Sequence, residues 1–327
     1  MLAPPARNMV LLSYTAFLIQ GGTLNRRLVK VDTIKSYLKE AAAIVTVSGA
    51  PDPRFSDTSS PAYQQSYLPR FRDLLREQQR LEQMPNRREP VDRAILSHLR
   101  TQARLYSENS KDAALRDWAI LGESTGFRVG EFASPTSDSF VSERIRRQGV
   151  ISIEPRPFIV TDFEFFDEQG IRLHTVTEKN AAKITICWRV QKNGVNGQKI
   201  SFGRSQCEWL CPVRAGVRII KRFHRINPRH KVLAIHDEGL LTHSQVTQGI
   251  RMAASHVYKL NSQQAQLYSA HSIRVGACVL LHEHGFNGSF IKVRLRWKSD
   301  TFLLYLRNTD RLTAQHAAAL TSDASYG

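Results

Sequence analysis

Acidic side chains are the first shortage of this chain: 29 Asp and Glu stand against 46 Lys and Arg in 327 residues, which leaves a formal charge of +17. A pI near 10.1 follows, and such an excess favours a polyanionic partner, either nucleic acid or an anionic membrane surface. Long apolar runs are also missing. A bilayer span needs roughly 18–20 apolar residues, and the early apolar segment 9–19 is short and broken by Ser13, Tyr14 and Thr15. That segment lacks a small-residue cleavage site as well, so a helix of the mature protein is expected there. Cysteine is scarce too. Cys187, Cys207, Cys211 and Cys278 are too few and too scattered for a disulfide framework, which points to a reducing intracellular compartment. Cys207 and Cys211 form a C-x3-C pair, but a zinc site needs two more ligands and only His224 and His230 lie near in sequence. Free thiols and no metal are the expectation. Internal repeats and low-complexity tracts are not evident either.

The basic excess is spread along the chain. Residues 1–90 carry 13 basic and 8 acidic side chains, and residues 91–327 carry 33 and 21, so both parts can face the same polyanion. The densest cluster, Arg214 to Lys231, has seven Lys and Arg and no carboxylate, a composition that equally suits a solvated helix face.

Length suggests about two domains. The polar stretch 82–89 (EQMPNRRE) is the natural divide, placing a helical unit at 1–88 and a larger mixed unit at 89–327. Upstream, residues 9–19, 31–45 and 67–81 repeat apolar positions at three- and four-residue spacing and read as helices. Downstream, 91–105 and 113–122 read as helices, whereas 150–153, 158–166 and 184–191 are rich in β-branched and aromatic residues and read as strands. The turn 193–197 (NGVNG) then returns the chain into 199–202 as a hairpin. Helices are expected again at 215–225, 245–258, 272–284, 287–295 and 299–307. The fold class is thus mainly α with a small antiparallel β-sheet.

Several short motifs carry residue types suited to phosphate chemistry. In TGFRVGEF, Gly126 ends one helix and Arg128 opens the next, with Glu131 three residues on to hold the guanidinium. Alone, that spacing equally describes a surface ion pair. Lys192 sits where a strand meets the hairpin turn and can protonate a departing oxygen, with Lys199 on the returning strand as its rival. His271 and Arg274 share a helix face, which lets one move a proton while the other grips a phosphate. Trp297 and Tyr305 are eight residues apart and can converge if a loop or a helix start intervenes at 298–300, where Ser299 or Asp300 can cap the following helix. Tyr305 also follows Phe302-Leu303-Leu304, so a core aromatic is the competing reading. A phosphodiester resists attack because its oxygens are negative, so a catalyst must supply rigid cations and manage two protons.

Arg128, Lys192, His271, Arg274, Trp297 and Tyr305, in this order and on these elements, resemble the catalytic set of the tyrosine recombinases, the phage-integrase superfamily. The resemblance spans about residues 90–310, through TGFRVGEF, QKNGVNGQK, AHSIRVGA and RWKSDTFLLYLR. Residues 9–85 are more loosely similar to the helical core-binding domain that precedes it. QKNG, Cys211-Pro212-Val213-Arg214 and RWKSD with YLR are most similar to recombinases of eukaryotic mobile elements, the Crypton and DIRS-like groups.

The resemblance implies a C-shaped clamp on double-stranded DNA with no small-molecule cofactor, and the lack of long apolar runs leaves no membrane partner expected. Tyr305 would attack the scissile phosphate to give a 3′-phosphotyrosyl link and a free 5′-hydroxyl. Arg128 and Arg274 would stabilise the phosphorane, with Trp297 beside them where many relatives have histidine. Lys192 would protonate the leaving oxygen, His271 would assist at the nucleophile, and Glu131 would support the site from behind. The tail after Tyr305 would dock on a neighbour in a homo-tetramer on two DNA sites, and in a eukaryote the protein would work in the nucleus. A type IB topoisomerase, a silent DNA-binding derivative and a generic basic binder remain as alternatives.

Overall fold

The computed structural model describes residues 4–22, 29–55, 67–82, 87–147, 150–191, 194–298, 300–306 and 313–314. The chain divides into two compact units, Met1–Pro85 and Asn86–Gly327.

The first unit holds α1 (Pro4–Ile19), α2 (Val31–Val47) and α3 (Pro69–Leu81). Its core is assembled from helical spacing: Val31, Ile34 and Leu38 on α2 meet Leu11 and Leu18 from α1 and Phe71 and Leu75 from α3. Pro69 opens α3, where its fixed φ suits the first turn and its missing N–H is not needed.

The second unit starts with α4 (Arg93–Ala103), capped by the Asp92 carboxylate, and α5 (Lys111–Thr125), capped by the Ser110 hydroxyl. α5 is buried around nearly its whole circumference, including Trp118, Ile120 and Leu121, so it forms the axis of the domain. Phe127, Phe132, Phe158 and Phe163 surround the Trp118 ring at centroid distances from 4.9 to 6.2 Å. Asp117, also fully buried on α5, takes Nε of Arg116 at 2.9 Å and Nε of Arg218 at 2.7 Å, with Arg222 as a third partner. A buried carboxylate is tolerated only when paired, and here the pairing locks α5 to the later helix that carries Arg218 and Arg222.

Two strands follow, β1 (Ser142–Arg147) and β2 (Val150–Pro155), paired antiparallel. A three-stranded antiparallel sheet comes next, in the order β3 (Phe163–Phe166), β4 (Lys183–Trp188) and β5 (Gln198–Gly203). Ile184 faces Phe202 and Ile186 faces Ile200 across β4 and β5, which places the apolar side chains of both strands in the core. α6 (Pro212–Ile226) packs on this sheet. β6 (Ile235–His236) and β7 (Gly239–Leu240) make a short hairpin. Helices α7 (His243–Tyr258), α8 (Ser262–Ala265), α9 (His271–Glu283) and α10 (Gly288–Leu295) follow, then a 3-10 turn at Asp300–Tyr305. Among the described residues no helix is long and apolar enough to cross a membrane, and the four cysteines are free thiols.

The architecture is the expected α+β type, and the differences are local. The strand expected over 158–166 is confined to Phe163–Phe166. Before it, the Asp162 carboxylate accepts the Ile159 N–H at 2.9 Å and winds Val160–Asp162 into a 3-10 turn. β4 stops at Trp188 because Arg189 turns inward to pair with Asp162 and Glu154. The helix expected over 299–307 is a 3-10 turn over Asp300–Tyr305. Gly194 and Gly197 carry the positive φ that the hairpin turn after β4 requires.

A smaller core, built from Ala277, Cys278, Ile291, Leu295 and Phe302, fastens α10 and the last 3-10 turn onto α9. α9 itself lies against the start of the domain at Gly276, where an added Cβ would run into the Val91 main chain. Helix propensity alone favours alanine over glycine by about 1 kcal/mol, so a net loss would isolate the clash. Gly276→Ala is expected to destabilise the domain by roughly 1–3 kcal/mol in urea denaturation. Gly203→Ala, where a Cβ meets nothing within 4 Å, should change stability by less than about 0.5 kcal/mol. Equal unfolding midpoints for the two variants would contradict this account of the α9 contact.

Candidate active site

The site begins where α5 ends. Gly126 adopts φ +56° and its N–H donates to Gly122 O at 2.8 Å, the left-handed C-cap that glycine favours. That reversal buries Phe127 against Trp118 and turns Arg128 outward, with its side chain 28% exposed. Glu131 then folds back: Oε2 accepts the Arg128 main-chain N–H at 3.0 Å and Oε1 accepts Arg128 Nη1 at 3.0 Å. Two further donors reach Oε2, the Trp188 indole at 3.1 Å and Arg296 Nη2 at 2.9 Å.

The first turn of α9 supplies the next two residues. Arg274 is 1% exposed, donates to Gly126 O through Nη1 and to Leu295 O through Nη2 at 2.8 Å, and lies 4.1 Å over the Trp297 ring. Guanidinium has five N–H donors, and only two are used here by carbonyls, so donors remain for an anion. Three residues earlier, the His271 Nε2 stands 3.1 Å from the Tyr305 hydroxyl. Trp297 packs beside the same phenol, with ring centroids 5.3 Å apart. Its indole N–H is buried and has no hydrogen-bond partner among the described residues. A buried unpaired donor costs about 1–3 kcal/mol, and this one lies beside the phenol, where an acceptor bound at Tyr305 is within its reach.

Charge and burial set the protonation states. Burial, then Arg274, Arg88 and Arg128, push the His271 pKa from 6.5 down to about 4. The imidazole is therefore neutral at pH 7, and with the proton on Nδ1 its Nε2 accepts from the phenol. Burial raises the Tyr305 pKa, while Arg274 and Arg128 oppose that rise. Arg274 is pushed down to about 9, first by burial and next by Arg128. Several cations thus converge on one half-buried tyrosine with little negative charge to offset them, an arrangement that favours an incoming anion.

Arg128, His271, Arg274, Trp297 and Tyr305 are therefore brought together, although up to 177 positions separate them along the 327-residue sequence. Lys192 lies outside the described residues. Its rival Lys199 is exposed on β5, with Nζ 3.0 Å from the Glu164 carboxylate. The tail expected to dock on a neighbour also lies largely outside the described residues. Trp188 and Arg296 were not legible as site residues. Nothing in their spacing points to Glu131, which is 57 and 165 positions away.

A protonation consequence follows from the buried imidazole. Between pH 6.5 and about 4 the unfolded chain takes up a proton at His271 and the folded chain does not, so folding stability falls as pH falls through this window. In NMR of the DNA-free protein, His271 is expected to stay neutral from pH 8 to pH 5. A midpoint near 6.5 would contradict the geometry.

No protein-family model matches the chain, and no curated protein matches it. Solved structures do. The XerH site-specific recombinase bound to palindromic difH substrate, in a post-cleavage complex, aligns with TM-score 0.50 and 12% identity over 96% of this chain and 72% of that one. The Tn1549 transposon integrase in complex with circular intermediate DNA aligns with TM-score 0.48 and 13% identity over 94% of this chain and 84% of that one. On this likeness the chain shares the α+β fold of the XerH recombinase.

Proposed function

We propose that the chain is a site-specific DNA recombinase or integrase that cuts and rejoins duplex DNA through a 3′-phosphotyrosyl intermediate on Tyr305. The observation that carries this reading is the Tyr305 hydroxyl 3.1 Å from the neutral His271 Nε2, beside a cluster of arginines and an indole N–H with no partner among the described residues. A structural core tyrosine does not need that company.

The chemistry follows from the positions. Tyr305 Oη attacks the scissile phosphorus while His271 Nε2 takes its proton, and the bond from phosphorus to the 5′ oxygen breaks. Arg128 and Arg274 donate to the non-bridging oxygens, on which charge accumulates, and the Trp297 N–H supplies a further donor. Lys192, by the sequence resemblance and not by any described position, gives a proton to the departing 5′ oxygen. The phosphotyrosyl link conserves the bond energy, so attack by a 5′-hydroxyl from the same or another duplex reverses the step without a nucleotide cofactor.

The finer assignments rest on the sequence motifs. QKNG, CPVR and RWKSD with YLR support an element of the Crypton or DIRS-like type, and mobilisation of a transposable element is the role that goes with it. The net charge of +17 supports DNA affinity dominated by phosphate contacts, which falls steeply with salt. Residues 1–88 act as the core-binding domain on DNA, residues 89–327 as the catalytic domain, and a tetramer on two sites performs the exchange, in the nucleus of a eukaryotic host.

The test uses nicked suicide duplexes, selected from a randomised pool for binding to the full chain. Wild type is expected to yield a denaturation-resistant protein–DNA adduct, Tyr305→Phe none, and Arg274→Ala an adduct formed on the order of 10²–10³-fold more slowly. No adduct from bound wild type, or equal adduct from Tyr305→Phe, overturns the proposal.

A further inference from the structure

Arg296 stands out once the first site is complete. It is 3% exposed, and it sits at the C-cap of α10 with φ +58°, a left-handed conformation that favours glycine. A long cationic side chain in that conformation, buried besides, carries two penalties at once. Its contacts show what offsets them. Nη2 donates to Glu131 Oε2 at 2.9 Å, Nη1 donates to Thr125 O at 3.1 Å, and the guanidinium carbon lies 3.8 Å from the centre of the Trp188 ring. Trp188 in turn donates to the same Oε2.

These contacts bracket the phosphate-facing arginines. Glu131 is the carboxylate that holds Arg128, and Thr125 immediately precedes Gly126, whose carbonyl accepts Arg274. Arg296 also immediately precedes Trp297, so its anchoring fixes the start of the turn that presents the indole. The electrostatic consequence matters as much as the geometric one. Glu131 alone against Arg128 would neutralise it, whereas a second buried cation on the same carboxylate leaves the trio with a net positive charge.

We infer that Arg296 is a positioning residue for strand cleavage: by sharing the Glu131 carboxylate it holds Arg128 in place and leaves its positive charge available to the scissile phosphate. This rests on the phosphotyrosyl reading of Tyr305. Arg296 does not itself touch the reacting atoms, since its contacts are Glu131, Thr125 and Trp188.

The test measures adduct formation on the nicked suicide duplexes, together with duplex affinity, for wild type, Arg296→Gly, Arg296→Lys, Glu131→Gln and the Arg296→Gly/Glu131→Gln pair. Glycine relieves the backbone conformation while removing the guanidinium, so Arg296→Gly is expected to cleave roughly 10–100-fold more slowly, with affinity changed less than about threefold. Added guanidinium ion should restore part of that rate. In the Glu131→Gln background the same substitution should change the rate less than about threefold, because the shared partner is already gone. Should Arg296→Gly fail to fold, Arg296→Lys decides: lysine keeps the charge but lacks the planar fork that serves both Glu131 and Thr125, so roughly tenfold slower cleavage is expected. Wild-type cleavage with an unaltered rate in the folded Arg296 variants, or additive losses in the double variant, overturns the role of Arg296 alone. Absence of any wild-type adduct overturns the parent reading and this inference with it.

Discussion

The Glu131 carboxylate is the constraint on which the site depends. It is 5% exposed, and a buried carboxylate must be met by donors or give up its charge. Four donors meet it, from the Arg128 main chain, the Arg128 guanidinium, the Trp188 indole and the Arg296 guanidinium. Those donors come from the turn after α5, the end of β4 and the C-cap of α10. One acidic side chain thereby fixes three separate parts of the domain to each other. The Gly126 reversal at the end of α5 makes this possible, because it presents Arg128 and Glu131 on the same short turn.

Against this single carboxylate the site gathers Arg128, Arg274 and Arg296. Burial first, and repulsion from Arg128 after it, lower Arg274 to about 9 and Arg296 to about 10, and both keep their charge at neutral pH. Glu131 holds Arg128 and Arg296, and carbonyls and aromatic faces complete the support: Gly126, Leu295 and Trp297 for Arg274, and Thr125 and Trp188 for Arg296. Donors fixed before the substrate arrives need no reorganisation when charge develops on a phosphorane, which is how electrostatic preorganisation lowers a barrier. Burial first, then Arg274, Arg88 and Arg128, keep His271 neutral, so the group best placed to accept the Tyr305 proton is free to do so.

Much of this was legible in the chain. The helical spacing of Val31, Ile34 and Leu38, the β-branched run of β4 and the paired glycines of the following turn carry local signals that survive in the fold. His271 and Arg274 share a helix, so their three-residue spacing was informative. Trp297 and Tyr305 converge across the expected break, but the segment after it is a 3-10 turn anchored by Phe302 in place of the expected helix. Arg296 and Trp188 were invisible because their relation to Glu131 is purely tertiary. β1 was missed for another reason: its sequence SERIRR is dominated by charge and lacks the alternation that marks a half-buried strand.

The central claim is that these buried donors serve a phosphodiester attacked by one particular phenol. Proteolysis of a trapped protein–DNA adduct, followed by mass spectrometry of the nucleotide-bearing peptide, tests it most directly. The account predicts a 3′-phosphate ester on Tyr305 and a free 5′-hydroxyl on the released strand. A link through any other residue, or through a 5′ phosphate, would contradict it.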